Sequence, residues 1–102
     1  MAAQLRNPHP GDILKEEFLA EIGMSQNQLA HAIDVPPNRI HAIVNGTRGI
    51  TADTDLRLSR FFGLSEGYWL RLQNAYDLME AKRESSKVFA KIKPYEHMEA
   101  AE

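Results

Sequence analysis

Two consecutive prolines, Pro36 and Pro37, restrict the fold of this chain more than any other feature of its sequence. A proline pair cannot lie inside an α-helix, because each ring removes a backbone hydrogen-bond donor and clashes with the preceding turn. Pro37 can nevertheless occupy the first turn of a helix, where the backbone N–H has no intrahelical partner. The pair therefore separates two helices, and we predict that the second runs from Pro37 to Asn45 and stops at Gly46.

The residues before the prolines carry the signals of another short helix. Ser25 is a good N-cap, and Gln28, three residues later, completes a capping-box pattern. This helix is predicted to stop at Asp34, shortly before the proline pair. The two helices and the turn between them form a predicted helix-turn-helix at residues 26–45.

An earlier helix is predicted from Pro10 to Gly23, since proline is tolerated in a first turn and glycine ends many helices. Apolar residues recur every four positions within it, which is typical of a helix with one buried face. The predicted apolar stripe consists of Leu14, Phe18 and Ile22, widened by Ile13 and Leu19.

Two further helices are predicted after the helix-turn-helix. Thr51 caps a fourth helix that runs through Phe62, and Ser65 caps a longer fifth helix that can continue past Arg83. No segment alternates with the period of two that is typical of strands, and 102 residues suffice for one compact domain. We therefore predict an all-α, five-helix fold with an N-terminal arm (residues 1–9), a helix-turn-helix domain (residues 10–84) and a mobile C-terminal tail (residues 85–102).

The residue types exclude several classes of function. The chain has no cysteine, which rules out disulfides, thiolate zinc sites and thiol nucleophiles. No histidine pair has metal-ligand spacing beside a carboxylate, and neither a nucleophile with its base nor a phosphate-binding loop occurs. We expect no enzymatic activity, no metal and no cofactor. The sequence also lacks a membrane-spanning run of roughly 18 apolar residues and a signal-peptide pattern, so we expect a cytoplasmic protein without membrane contact.

The net charge of −2 lacks the overall positive charge that is typical of strongly basic nucleic-acid binders. The distribution of charge matters more than its total, because only a surface that faces phosphates must be positive or neutral. Acidic residues outnumber the single lysine in the first predicted helix, whereas residues 24–50 contain Arg39 and Arg48 against Asp34. Acidic charge is therefore concentrated away from the helix-turn-helix.

The helix predicted from Pro37 to Asn45 has two different sides. At about 100° per residue, Ile40, Ile43 and Val44 cluster on one side, which suits packing against the rest of the domain. The opposite side carries Asn38, His41, Ala42 and Asn45. This second side is small, uncharged and able to form hydrogen bonds, so it suits the base edges in the DNA major groove, which is about 12 Å wide. An ordinary solvated helix surface is the alternative.

Two motifs in this region resemble those of the phage-repressor (Cro/C1, or XRE) helix-turn-helix family. They read S-Q-x-x-L-A-x-x-I-x-V from Ser25 and P-x-x-I-x-x-I-x-x-G from Pro37. One departure is Asp34, because the family often has glycine at this turn position, which requires a positive φ that aspartate tolerates. Three blocks, at residues 9–14, 43–54 and 69–78, are similar to the HigA-type antitoxins, which are also labelled VapI-like.

The resemblance implies a role for each matching position. Gln26, at the start of the second helix, is implied to clamp a backbone phosphate, with Asn27 beside it. Arg48 is implied to be the second clamp, and Arg39 lies to the side, within reach of a phosphate or a flanking base. The implied groove-facing positions are Pro37, Asn38, His41, Ala42 and Asn45.

A HigA-like protein is further implied to be a homodimer that binds a palindromic double-stranded DNA operator, with recognition helices in successive major grooves. The long C-terminal helix is implied to support the dimer. Its expected core or dimer residues are Trp69, Leu72, Tyr76 and Met79. The resemblance also implies repression of the protein's own operon, and neutralisation of a HigB-like toxin that cleaves mRNA.

Other functions remain open at this point. A stand-alone regulator of the same family without a toxin partner would share every feature of the helix-turn-helix. A protein-interaction module that has lost DNA binding would fit the neutral helix face and the negative net charge. A small enzyme fits least, since no catalytic constellation is present in the sequence.

Overall fold

The structure is a computed structural model that describes residues 6–96 of the chain. Five helices form between residues 10 and 90, and the described range contains no β-strand, so the predicted all-α, five-helix fold is confirmed. Helix α1 covers residues 10–22 as three consecutive segments, Pro10–Ile13, Leu14–Leu19 and Ala20–Ile22. The other helices are α2 (Gln26–Ala32), α3 (Pro37–Asn45), α4 (Ala52–Phe62) and α5 (Tyr68–Ala90).

Local sequence signals define most of these boundaries. The Ser25 side chain accepts a hydrogen bond from the Gln28 N–H at 3.0 Å, and the Gln28 side chain accepts one from the Ser25 N–H at 2.8 Å. The predicted capping box of α2 is therefore confirmed. Thr51 caps α4 as predicted, and Gly46 ends α3 in the left-handed conformation that glycine favours.

The predicted stripe of α1 is wrong at Ile22, which is 54% exposed. The middle segment of α1 is a π-helix, in which the Ala20 N–H donates to the carbonyl of Lys15, five residues earlier. This wider turn brings residues five apart onto the same face. Leu14 and Leu19 are accordingly both buried, whereas Ile22, four residues beyond Phe18, is turned toward solvent.

Helix α5 does not begin at Ser65, contrary to the prediction; its N-cap is Gly67, with φ 91°. Its first N–H groups donate instead to Asp55, a residue of α4 that is only 1% exposed. The two Asp55 oxygens accept from Gly67 and Trp69, each at 2.7 Å, and from Leu70 at 3.1 Å. A carboxylate suits this place, because a helix N-terminus combines unpaired N–H donors with a positive dipole end.

Trp69 occupies the centre of the core. It is fully buried, and its ring centroid lies 4.9 Å from that of Phe18 and 6.1 Å from that of Phe62. Of the other predicted core or dimer residues, Leu72 packs against the core, Tyr76 is half-buried and Met79 is 37% exposed. The buried apolar residues are Leu14, Leu19, Leu29, Ala30, Ile33, Val35, Ile40, Ile43, Ile50, Leu58 and Trp69.

Both ends of the predicted domain continue into ordered contacts. Before it, the Asn7 side chain donates to the carbonyl of Tyr76 at 3.0 Å, and the His9 ring packs edge-on against that of Tyr76. After it, α5 extends past the predicted boundary to Ala90, and Ser85 interrupts it with a non-helical φ of −132°. The remainder of the predicted arm (residues 1–5) and of the predicted tail (residues 97–102) lies outside the described residues.

Helices α1 and α3 meet at Gly11, where the two backbones are in direct contact. A Cβ at this position would overlap the carbonyl oxygen of Ile43 and lie 2.7 Å from its carbonyl carbon. Only glycine allows this approach. Gly11 therefore sets the distance between the first helix and the helix that was predicted to read DNA.

We expect Gly11→Ala to lower the free energy of unfolding by about 3 kcal/mol, the upper end of the usual cost of overpacking, because backbone atoms cannot rotate away. Urea unfolding of both proteins measures this difference. Gly63→Ala is the control, since Gly63 has φ 70° and open space around it. It should cost roughly 1–2 kcal/mol from conformation alone, and an equal loss in the two variants would contradict the steric role of Gly11.

We expect Asp55→Asn to destabilise the protein by at least about 1.5–3 kcal/mol, the value of one hydrogen bond to a charged group. The amide offers one acceptor where the carboxylate offers two, and its NH₂ group would face a backbone donor. Urea unfolding again provides the measurement. The exposed Glu17 loses its charge in the same way in the Glu17→Gln control, which should stay within about 0.5 kcal/mol of the parent. A similar loss in both variants would contradict the specific role of the Asp55 carboxylate.

Candidate nucleic-acid interface

The structure separates the two sides of α3 as the sequence predicted. Ile40 and Ile43 are fully buried against the core. Pro37, Asn38, His41 and Asn45 are exposed, and Ala42 is half-buried. These five side chains form the surface that we call the α3 face. Their contact with base pairs stays a prediction.

The turn between α2 and α3 has the conformation that the sequence required. Asp34 has φ 58°, and among the described non-glycine residues it is the one with a positive φ. The Val35 N–H returns to the carbonyl of Ala30 at 3.0 Å and closes the turn. Asp34 thus adopts the left-handed conformation that this turn requires, which aspartate tolerates better than most residues.

Gln26 and Asn27 lie in the first turn of α2, next to the α3 face. Gln26 is half-buried and Asn27 is exposed. The Asn27 Oδ1 atom lies 2.8 Å from Nε2 of His41, so a hydrogen bond joins the first turn of α2 to the middle of α3. The sequence placed Asn27 and His41 on the predicted DNA surface, but it did not indicate the hydrogen bond between them.

Arg39, which was predicted to lie to the side of α3, is paired with a residue of α4. Its Nη1 atom lies 2.6 Å from Oδ2 of Asp53 in α4, and its side chain is 22% exposed. Asp53 Oδ2 also accepts a hydrogen bond from Nε of Arg57 at 3.0 Å. The hydrogen bond from Arg39 and that from Arg57 lower the pKa of Asp53 below its ordinary value. Asp53 is therefore ionised at neutral pH, beside two guanidinium groups.

Arg57 extends this contact to the turn of the helix-turn-helix. Its Nη1 atom donates to the carbonyl of Ile33 at 2.8 Å and to that of Asp34 at 3.1 Å. Sequence reasoning assigned no role to Asp53 or Arg57. Their spacing of four residues on α4 was a readable signal for an ion pair, but the contacts with Arg39 and with the turn depend on tertiary packing.

The loop that carries Arg48 is held by a residue of α5. The buried Gln73 side chain accepts a hydrogen bond from the Ile50 N–H at 2.8 Å, and a Cβ at Gly49 would lie 3.2 Å from its amide. Gln73 also donates to Asp77 at 3.0 Å. Arg48 is exposed on this supported loop, consistent with its predicted position. Gln73 was not predicted from the sequence, because nothing in its neighbouring residues distinguishes a buried glutamine from an exposed one.

Two negative findings apply to residues 6–96. No group of three or more histidine, cysteine, aspartate or glutamate side chains there is arranged to hold a metal ion. In the same part of the chain, no helix combines the length and the apolar character that crossing a membrane requires.

Comparison with known proteins gives matches along most of the chain. The family model described as Helix-turn-helix (HTH_3) matches residues 14–69. Virulence-associated protein I of Dichelobacter nodosus is 50% identical over 80 residues, which cover 78% of this chain and 74% of that protein.

Solved structures resemble the whole arrangement of helices. The Pseudomonas aeruginosa antitoxin HigA with higBA promoter has a TM-score of 0.83 and 40% identity, covering 88% of this chain and 99% of the other. An addiction module antidote protein of the HigA family from Coxiella burnetii has a TM-score of 0.82 and 49% identity, covering 89% and 100% of the two chains.

Proposed function

The chain belongs to the helix-turn-helix family, among relatives that include HigA antitoxins, and from this membership we propose that it is a DNA-binding antitoxin that represses its own operon. The observation that carries the proposal is the match to a HigA structure containing promoter DNA, which extends over nearly all of that chain. The exposed, uncharged α3 face supports it, since a helix with such a surface fits the major groove.

The proposed contacts with DNA fall into two classes. Gln26 at the start of α2 and Arg48 on the loop after α3 bind backbone phosphates and position the protein. Asn38, His41 and Asn45 on the α3 face read base edges. The bond between Asn27 and His41 orients the imidazole for this task, and the small Ala42 lets α3 approach the bases closely.

A homodimer is part of the proposal, because two helix-turn-helix units in successive major grooves explain recognition of a palindromic operator. Exposed apolar residues support a partner contact along α5: Leu78, Met79, Val88 and Phe89. Trp69 contributes to the dimer indirectly, since its side chain is fully buried within one chain.

We propose no catalytic activity and a cytoplasmic location, where the operator is accessible. The main alternative function is that of a stand-alone regulator of the same family without a toxin. Relatives that are described only as transcriptional regulators are consistent with this alternative. Both functions require DNA binding, so the toxin is the point at which they differ.

A copurification experiment separates these two functions. The chain is co-expressed with the product of the gene next to its own, with an affinity tag on that product. An antitoxin is expected to copurify in a stable complex and to prevent mRNA cleavage by the partner. A stand-alone regulator would give no complex, and the partner's effect on mRNA would be unchanged.

Two substitutions test the proposed contacts with DNA. Gln26→Ala should weaken binding to all sequences, because it removes a phosphate contact. Asn45→Ala should change the preference at one base pair by roughly 1–3 kcal/mol. Gel shifts on the protein's own promoter, located by footprinting, and on single-base variants of it give both values. An equal loss on all sequences for Asn45→Ala would remove Asn45 from the base-reading set.

The wild-type chain provides the decisive control. Backbone attraction is strongest at low salt, and a repressor should still prefer its promoter to a scrambled duplex there. Absence of any sequence preference would disprove the repressor function.

A further inference from the structure

The contacts among Arg39, Asp53 and Arg57 form a cluster, which we call the arginine–aspartate cluster, at the side of α3. It joins three parts of the helix-turn-helix region: α3 through Arg39, α4 through Asp53 and Arg57, and the turn through the carbonyls that Arg57 contacts. Its central carboxylate contacts both guanidinium groups. The cluster is therefore more than an ordinary surface ion pair, which contributes little by itself.

Arg57 is the anchored member of the cluster. Its Nη1 atom binds two backbone carbonyls at the end of α2, and its Nε atom binds Asp53. These contacts hold the Asp53 carboxylate at a defined place beside α3. Asp53 itself is 55% exposed, so solvent and a bound polyanion both reach it.

The Arg39 side chain is directed toward the Asp53 carboxylate. Its side chain is mostly covered, and its Nε atom is buried without a hydrogen-bond partner in the described structure. A buried donor without a partner costs free energy. The short contact between Nη1 and Asp53 offsets that cost. In the protein without DNA, the positive charge of Arg39 is thus held against α4 and partly neutralised.

We propose that Asp53 determines specificity by withholding Arg39 from the phosphates of non-operator DNA. Attraction between a cation and phosphate is nearly independent of sequence, so an unpaired Arg39 would strengthen binding to non-operator DNA, on which no base contacts fix the position of α3. On the operator, base contacts already fix α3, so the same change adds less. Pairing with Asp53 suppresses this general attraction, while the uncharged α3 face still reads the operator. This inference rests on the proposed DNA-binding function.

The test measures the affinity of wild type and of Asp53→Asn for two duplexes of equal length over a range of salt concentrations. One duplex carries the footprinted promoter and the other a scrambled sequence. The variant should bind the scrambled duplex several-fold more tightly, and the slope of log K against log salt should steepen by about 0.9, the value for one added phosphate contact. The ratio of operator to scrambled affinity should fall. An unchanged or larger ratio, or parallel weakening on both duplexes, would overturn the proposal.

Three further single variants identify the cause of any change. Glu66→Gln removes the same charge from an exposed residue in the turn before α5, and it should leave the affinity ratio unchanged. Asp53→Glu keeps the carboxylate and should retain the wild-type ratio. Asp53→Ser provides a second neutral replacement, which should reproduce Asp53→Asn, and circular dichroism checks the helix content of each variant.

The double variant Arg39→Gln with Asp53→Asn completes a cycle that isolates the pair. In the Arg39→Gln background, the effect of Asp53→Asn on scrambled DNA should disappear. Persistence of the full effect would show that Arg39 is not the withheld cation, and so would overturn the proposal. A wild-type chain without preference for its promoter would instead disprove the proposed function itself, which keeps the two failures distinguishable.

Discussion

One buried carboxylate, that of Asp55, supports much of the rest of the structure. It lies in α4 and accepts three backbone N–H groups at the start of α5, where the helix has an excess of donors and the positive end of its dipole. This contact sets where α5 begins and how it lies on α4. The position of Trp69 in the core follows from it, because the Trp69 N–H is one of the three donors.

The long helix placed in this way reaches the candidate DNA surface through Gln73. The Gln73 side chain holds the Ile50 N–H, and with it the loop that presents Arg48. The same helix also contacts the residues before α1, since the Asn7 side chain donates a hydrogen bond to the carbonyl of Tyr76. Helix α5 thus provides the central Trp69 of the core, support for one proposed phosphate contact and the surface of the proposed dimer.

Helix α3 is held from two sides, by contacts of different physical kinds. On one side, the absence of a side chain at Gly11 lets the backbone of α1 touch that of Ile43. On the other side, Asp53 and Arg57 connect it electrostatically to α4 and to the turn. The exposed α3 face therefore lies on a helix that is held from two sides. Because this face is uncharged, the proposed attraction to phosphates depends on nearby cations such as Arg48.

The sequence by itself determined the features that depend on neighbouring residues: the break at Pro36 and Pro37, the Ser25 capping box and the two-sided character of α3. Each follows from short-range hydrogen bonding or periodicity. Tertiary structure alone decided that Asp55 rather than Ser65 accepts N–H groups at the start of α5, that Ile22 is exposed, and that Asp53 holds Arg39 away from the solvent. These outcomes depend on side chains that are distant in sequence or on a widened turn, and only packing of the helices brings the partners within hydrogen-bond distance.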